Sequence, residues 1–106
     1  MARYLWQVSY TAEGLKGVLK EGGSARASSI TKLTKAMGGK LEAFYFAFGG
    51  DDVYLIADLP GNVDAAALAL TVGASGAAHV KTVVLLTPEE VDAAAKRKVP
   101  YKVPGA

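Results

Sequence analysis

His79 is the only imidazole in the chain, and there is no cysteine. It stands where an alanine-rich helix is expected to turn into the last strand. From there it could act as a general base or as a single axial haem ligand. The alternative is a solvated or capping histidine, the commoner role for a lone imidazole near a strand start. With no second histidine and no thiolate, no typical zinc site is expected, and no metal or cofactor is assigned. No serine has a convincing triad, because one histidine would have to serve and no nucleophile elbow is present.

Three carboxylates come next. Asp52 and Asp58 fall on one predicted strand, separated by roughly 20 Å of strand rise, too far to act as a pair. Glu42, on the neighbouring predicted strand, is the better partner for one of them. Two carboxylates with Tyr54 on an otherwise apolar face could form a pocket around an acid of raised pKa. The alternative places them at sheet ends in water. Gly22-Gly23-Ser24 followed by Arg26 opens a helix. Free backbone N–H groups at Gly23 and Ser24, the helix dipole and the guanidinium suit a carboxylate or phosphate. An ordinary glycine hinge with a serine cap explains the same residues. Tyr4, Trp6, Phe44, Phe46 and Phe48 have the composition of a base-stacking platform but lack interleaved basic residues, so packing is the better reading and no nucleic-acid partner is expected.

The wider composition agrees. The chain has 106 residues, enough for one domain spanning 1–106 with a single core, and is 51% hydrophobic and 21% charged. A net charge of +2 is too small to argue for nucleic acid or an anionic membrane. The absence of cysteine excludes disulfides, thiolate-held iron–sulfur clusters and thiol nucleophiles. No secretory signal pattern opens the chain, and the uncharged stretch 65–78 is too short and too rich in Ala and Gly to span a bilayer. The expected location is cytoplasmic, with no membrane partner.

The elements that must position these groups follow from periodicity. Residues 3–10 alternate, with Tyr4, Trp6, Val8 and Tyr10 on one face. Thr11 caps a short helix weakened by Gly14 and Gly17, which either permit close backbone contact or loosen it. After Gly22-Gly23, Ser24 is expected to cap a second helix with Ile30, Leu33 and Met37 as its buried line. Residues 40–48 and 52–59 form a hairpin around Gly49 to Asp51. Strict alternation puts Glu42, Phe44, Phe46 and Phe48 on one face of its first strand. A helix over 63–74, a strand over 80–86, a capping box at Thr87-Pro88-Glu89-Glu90 with a short helix, and an extended arm from Val99 complete the chain. The order β-α-β-β-α-β predicts an α+β, ferredoxin-like fold: a four-stranded antiparallel sheet with both long helices on one side. The other side would then expose Trp6 or Leu5, the second-strand aromatics, Tyr54 and Ile56. Such a patch is abnormal for a monomer and predicts a homo-oligomer built on sheet-to-sheet contact.

With these elements laid out, the sequence resembles the GYD domain family. The matching pieces are Tyr10-Thr11-x-Glu13-Gly14-x-x-Gly17, Arg26, Gly38-Gly39-Lys40-Leu41-Glu42, Phe48-Gly49-x-x-Asp52, Leu59-Pro60, Ala74-Ser75-Gly76 and Leu86-Thr87-Pro88-Glu89-Glu90. The resemblance implies a small bacterial protein of dimeric α/β-barrel type and brings no substrate with it. One departure matters: Asp51 stands where the Gly-x-Tyr-Asp signature has tyrosine, so any role of that phenol is lost here. The leading expectation is a homo-oligomeric protein that binds a small metabolite between sheet and helices or at a subunit contact. Trp6, Tyr10, Glu42, Tyr54, Asp58 and His79 are its candidate ligand contacts. The competing expectations are a cofactor-independent oxygenase or isomerase with His79 or Glu42 as base, and a purely structural assembly protein.

Overall fold

In the computed structural model, which describes residues 1–106, the alternating N-terminal segment is β1 (Ala2–Tyr10), with Tyr4, Trp6 and Val8 buried. α1 (Ala12–Glu21) and α2 (Gly23–Ala36) follow, then β2 (Lys40–Phe46) and β3 (Val53–Leu59), α3 (Asn62–Ala74), β4 (Ala78–Leu85) and α4 (Pro88–Lys96). All strand pairs are antiparallel and the sheet order is β2-β3-β1-β4, the ferredoxin-like arrangement. The core lies between one sheet face and the helices α2 and α3, centred on Tyr4, Trp6, Val53, Leu55 and Leu59. Tyr4 donates its hydroxyl to Asn62 Oδ1 at 2.6 Å, pinning the start of α3 to β1.

The elbow between α1 and α2 is tighter than a serine cap allows. Gly22 ends one helix and begins the next at φ 85, a left-handed conformation that favours glycine, and Ser24 already lies inside α2. Thr11 caps α1 as expected, accepting from the Gly14 amide. The two glycines of α1 then separate. A Cβ at Gly14 would collide with the Ala77 carbonyl, whereas Gly17 has open space. Gly14→Ala is therefore expected to cost about 1–3 kcal/mol by overpacking. Gly17→Ala should add about 1 kcal/mol through helix propensity. A pair of urea melts distinguishes the two; equal effects would refute the close approach.

The hairpin departs from strict alternation. Leu41 pairs with Ala57 and Ala43 with Ile56, so Glu42 is an extra residue in a bulge. Beyond it the phase reverses. Leu41, Phe44 and Phe46 all pair with residues of the buried β3 row, while Lys40, Ala43 and Tyr45 pair with its outward row. The expected exposure of the β2 phenylalanines on the open sheet face is thus overturned for Phe44 and Phe46, and Trp6 also faces the helices. Phe48 lies beyond the strand and is fully exposed.

The open face therefore reads as rows across the four strands. One is ionic at three positions: Lys40, Asp58 and Arg3, ending in Leu85. The next is apolar throughout: Ala43, Ile56, Leu5 and Val83. The third is mixed: Tyr45, Tyr54, Gln7 and Lys81. No part of the chain's own C-terminal segment is sequestered against this face, since every residue from Leu86 to Ala106 is exposed. That segment begins with the full capping box: Thr87 Oγ1 accepts from the Glu90 amide, and the Glu90 carboxylate accepts from the Thr87 amide.

Candidate functional site

A cavity of about 250 Å³ lies between the sheet and helices α2 and α3, near a larger and more open depression of about 430 Å³. Trp6, Val8, Leu55 and Val80 form part of its floor. Ile30 and Leu33 of α2 and Leu68 and Val72 of α3 form its walls. Fourteen of the 17 lining residues are hydrophobic; the others are Arg26, Thr71 and Ser75. The helices supply these walls by simple spacing: Arg26, Ile30 and Leu33 recur at i, i+4 and i+7, as do Leu68, Val72 and Ser75.

Two further lining residues, Trp6 and Tyr10, carry polar groups besides Arg26, Thr71 and Ser75. Trp6 is 2% exposed, and no protein acceptor reaches its indole Nε1. Leaving such a donor unpaired costs about 1–3 kcal/mol. At the rim, Tyr10 is half-buried and its phenol pKa is raised, chiefly by burial, with the Asp52 charge adding and the Arg26 charge opposing. The phenol is therefore a hydrogen-bond donor at neutral pH. Arg26 itself pairs with Glu21 at 3.5 Å, and both side chains are about one-third exposed. Tyr10 also borders a second, more open depression with Leu15, Val18 and Phe46.

The remaining sequence candidates lie elsewhere. Gly23 packs against the Phe46 ring, which a Cβ there would meet at 2.9 Å. Neither Gly23 nor Ser24 joins Arg26 in the cavity wall. His79 is the second residue of β4, at the strand start as expected, and is exposed on the open face opposite Ser9. Tyr54 is on that face too, paired with Tyr45 and Gln7. Asp58 and Glu42 share one cation: Arg3 donates to both Asp58 oxygens at 2.8 and 3.1 Å and lies 3.5 Å from Glu42. The expectation of a raised-pKa acid is reversed here. Hydrogen bonding from Arg3 holds the Asp58 carboxyl below its usual range, because it stabilises the charged form against the modest burial.

That direction sets a pH dependence. A carboxyl depressed in the folded state contributes fully above its unfolded pKa, near 4, and loses the contribution as pH falls through the lower folded value. Thermal melts between pH 6 and pH 3 should fall less steeply for Asp58→Asn than for wild type; parallel curves would remove the Arg3 pairing as their cause.

Asp52 precedes β3 rather than lying within it, and its carboxylate accepts from the Tyr10 amide at 2.8 Å. Its neighbour Asp51 is almost fully buried, accepting from Ser9 Oγ at 2.9 Å, with Lys81 at 3.8 Å. These paired carboxylates tie the hairpin turn to β1 and keep Tyr10 at the cavity rim.

Compared with known families, residues 4–95 match the family described as GYD domain. The chain belongs to the GYD domain family. In this GYD domain protein the matched span runs from the first core residue, Tyr4, into α4. No curated protein and no solved structure matches the chain significantly. Asp51, where the sequence departs from the expected Gly-x-Tyr-Asp pattern, is a buried carboxylate that ties the hairpin turn to β1. No group of three or more His, Asp or Glu side chains is placed to hold a metal ion, and no helix is long and apolar enough to cross a membrane.

Arg26 and the α2–α3 stripe are the residues that sequence reading used least well. Arg26, expected near a helix-end anion site, also falls at i, i+4, i+7 spacing with Ile30 and Leu33, which puts it on the helix's inward line. Ser75 could have been found the same way from Leu68 and Val72.

Proposed function

We propose that this GYD domain protein binds a small, largely apolar molecule in the cavity between sheet and helices, and that it works as a homo-oligomer. The observation that carries the binding reading is the cavity itself: about 250 Å³ and nearly all apolar, with Trp6 in its wall. An apolar cavity of about 150 Å³ already takes a benzene-sized guest, so a single ring or short chain fits. Trp6 and Tyr10 are the contacts retained from the sequence reading. Glu42, Tyr54, Asp58 and His79 belong to the open sheet face instead.

An oxygenase or isomerase mechanism would need a base inside the cavity. Its lining has no Asp, Glu or His, and burial keeps the Tyr10 phenol protonated. Binding without chemistry is the better fit.

The oligomer reading rests on surface. The chain exposes 7353 Å², whereas a compact monomer of 11.0 kDa exposes about 5,600 Å². Its radius of gyration is 16.9 Å against about 13 Å for a compact domain of this length. The exposed tail accounts for part of this excess, and the apolar row on the open face supplies a partner surface. Stacking two such sheets gives the dimeric α/β-barrel arrangement.

The binding reading is tested by thermal shift with small apolar probes, cyclohexylmethanol first, on wild type and on Ala69→Phe, which fills the cavity. At about 100-fold above Kd, wild-type Tm should rise on the order of 10 °C. Ala69→Phe should not respond. No shift with any single-ring or short-chain probe would overturn the reading.

A further inference from the structure

The cavity has one charged lining residue, and it is a cation. Resting on the binding reading above, we propose that the ligand is a monocarboxylate: an apolar ring or short chain carrying one anionic oxygen group, held by Arg26.

Three observations converge on this class. The body of the cavity is walled by Trp6, Ile30, Leu55 and Val72, with Thr71 and Ser75 as its only aliphatic hydroxyls and no second charged side chain in its lining. Arg26 reaches the wall from the first turns of α2, a helix whose amino end has neither an acidic residue nor a side-chain cap. A helix amino end favours an anion, and a guanidinium forks naturally onto a carboxylate. Tyr10 lies close enough to Arg26 to feel its charge, and its protonated phenol is a second donor at the same rim.

Glu21 completes the arrangement. It is the carboxylate that now pairs with Arg26, at 3.5 Å and partly exposed. It does not line the cavity. It acts as an internal counter-anion that an incoming carboxylate displaces. The guanidinium is thereby kept in place between binding events, and ligand affinity is held below what Arg26 alone would give.

Trp6 is the only tryptophan and it lines the cavity, so its fluorescence reports occupancy directly. The experiment titrates cyclohexanecarboxylate and cyclohexylmethanol, near-isosteric and transparent at tryptophan wavelengths, into wild type, Arg26→Gln and Glu21→Gln. The wild type should bind the acid on the order of tenfold or more tighter than the alcohol. Arg26→Gln should erase that preference while still binding the alcohol, which also shows that the cavity remains folded. Glu21→Gln should tighten the acid severalfold and leave the alcohol unchanged. If wild type binds the alcohol as well as the acid, or if the preference survives in Arg26→Gln, the carboxylate assignment is overturned while the binding reading stands. If neither compound nor any other single-ring or short-chain probe perturbs Trp6, the binding reading itself falls and takes this assignment with it.

Discussion

Leu5→Asp is expected to leave the proposed oligomer as an 11.0 kDa monomer. Leu5 lies at the middle of the apolar row, flanked by Ile56 on β3 and Val83 on β4. In a sheet-to-sheet dimer this row meets its own copy, so the substitution buries two carboxylates close together. Burying unpaired charge costs several kcal/mol per group, which weakens association on the order of a thousandfold or more. Within the protomer the change is mild, about 1 kcal/mol of strand preference, because the Leu5 side chain stands outside the helix-covered core. Sedimentation at low micromolar concentration, with circular dichroism to verify the fold, reads the result. A wild type that already sediments as a monomer would end the oligomer reading, as would a variant that associates unchanged.

Leu59→Ala should cost about 2–5 kcal/mol of stability. Leu59 is wholly buried at the end of β3, where the chain enters β2 by passing Gly39 directly over the Asp58 carbonyl. Gly39→Ala should also destabilise, since its new Cβ meets both that carbonyl and Leu59 Cδ2, the latter at 2.8 Å. The double variant distinguishes the two obstacles. The backbone carbonyl cannot give way, so shortening Leu59 should not rescue Gly39→Ala. A double-mutant cycle in urea showing full rescue would prove that the side chain alone sets the constraint.

Some of this architecture was legible because it depends on short-range chemistry. The alternation of Tyr4, Trp6 and Val8, the Thr11 cap and the Thr87–Glu90 capping box each involve residues within one turn or one pleat. The buried β3 row, Val53 to Leu59, is apolar at every second position and needs no context. The bulge at Glu42 was not legible, because a strand with apolar residues on both parities reads the same in either phase. One extra residue there moved Phe44 and Phe46 from the open face into the helix-covered side. That shift narrowed the exposed apolar surface to a row and helped wall the cavity.

The candidate site divides along the same line. Trp6 and Tyr10 were reachable from alternation alone. The sequence puts Glu42 beside one of Asp52 and Asp58 without saying which; the fold brings it to Asp58 through Arg3, which lies 55 residues from Asp58 in sequence. Only strand pairing could reveal that a guanidinium turns the pair into a low-pKa ionic cluster instead of an acid. Local periodicity and capping thus determined the elements, their order and the GYD signature, because those signals are carried by neighbours in the chain. Tertiary structure decided which face each strand shows, that Arg26 borders an apolar cavity and that His79 stands outside it, because these depend on register between segments that meet only after folding.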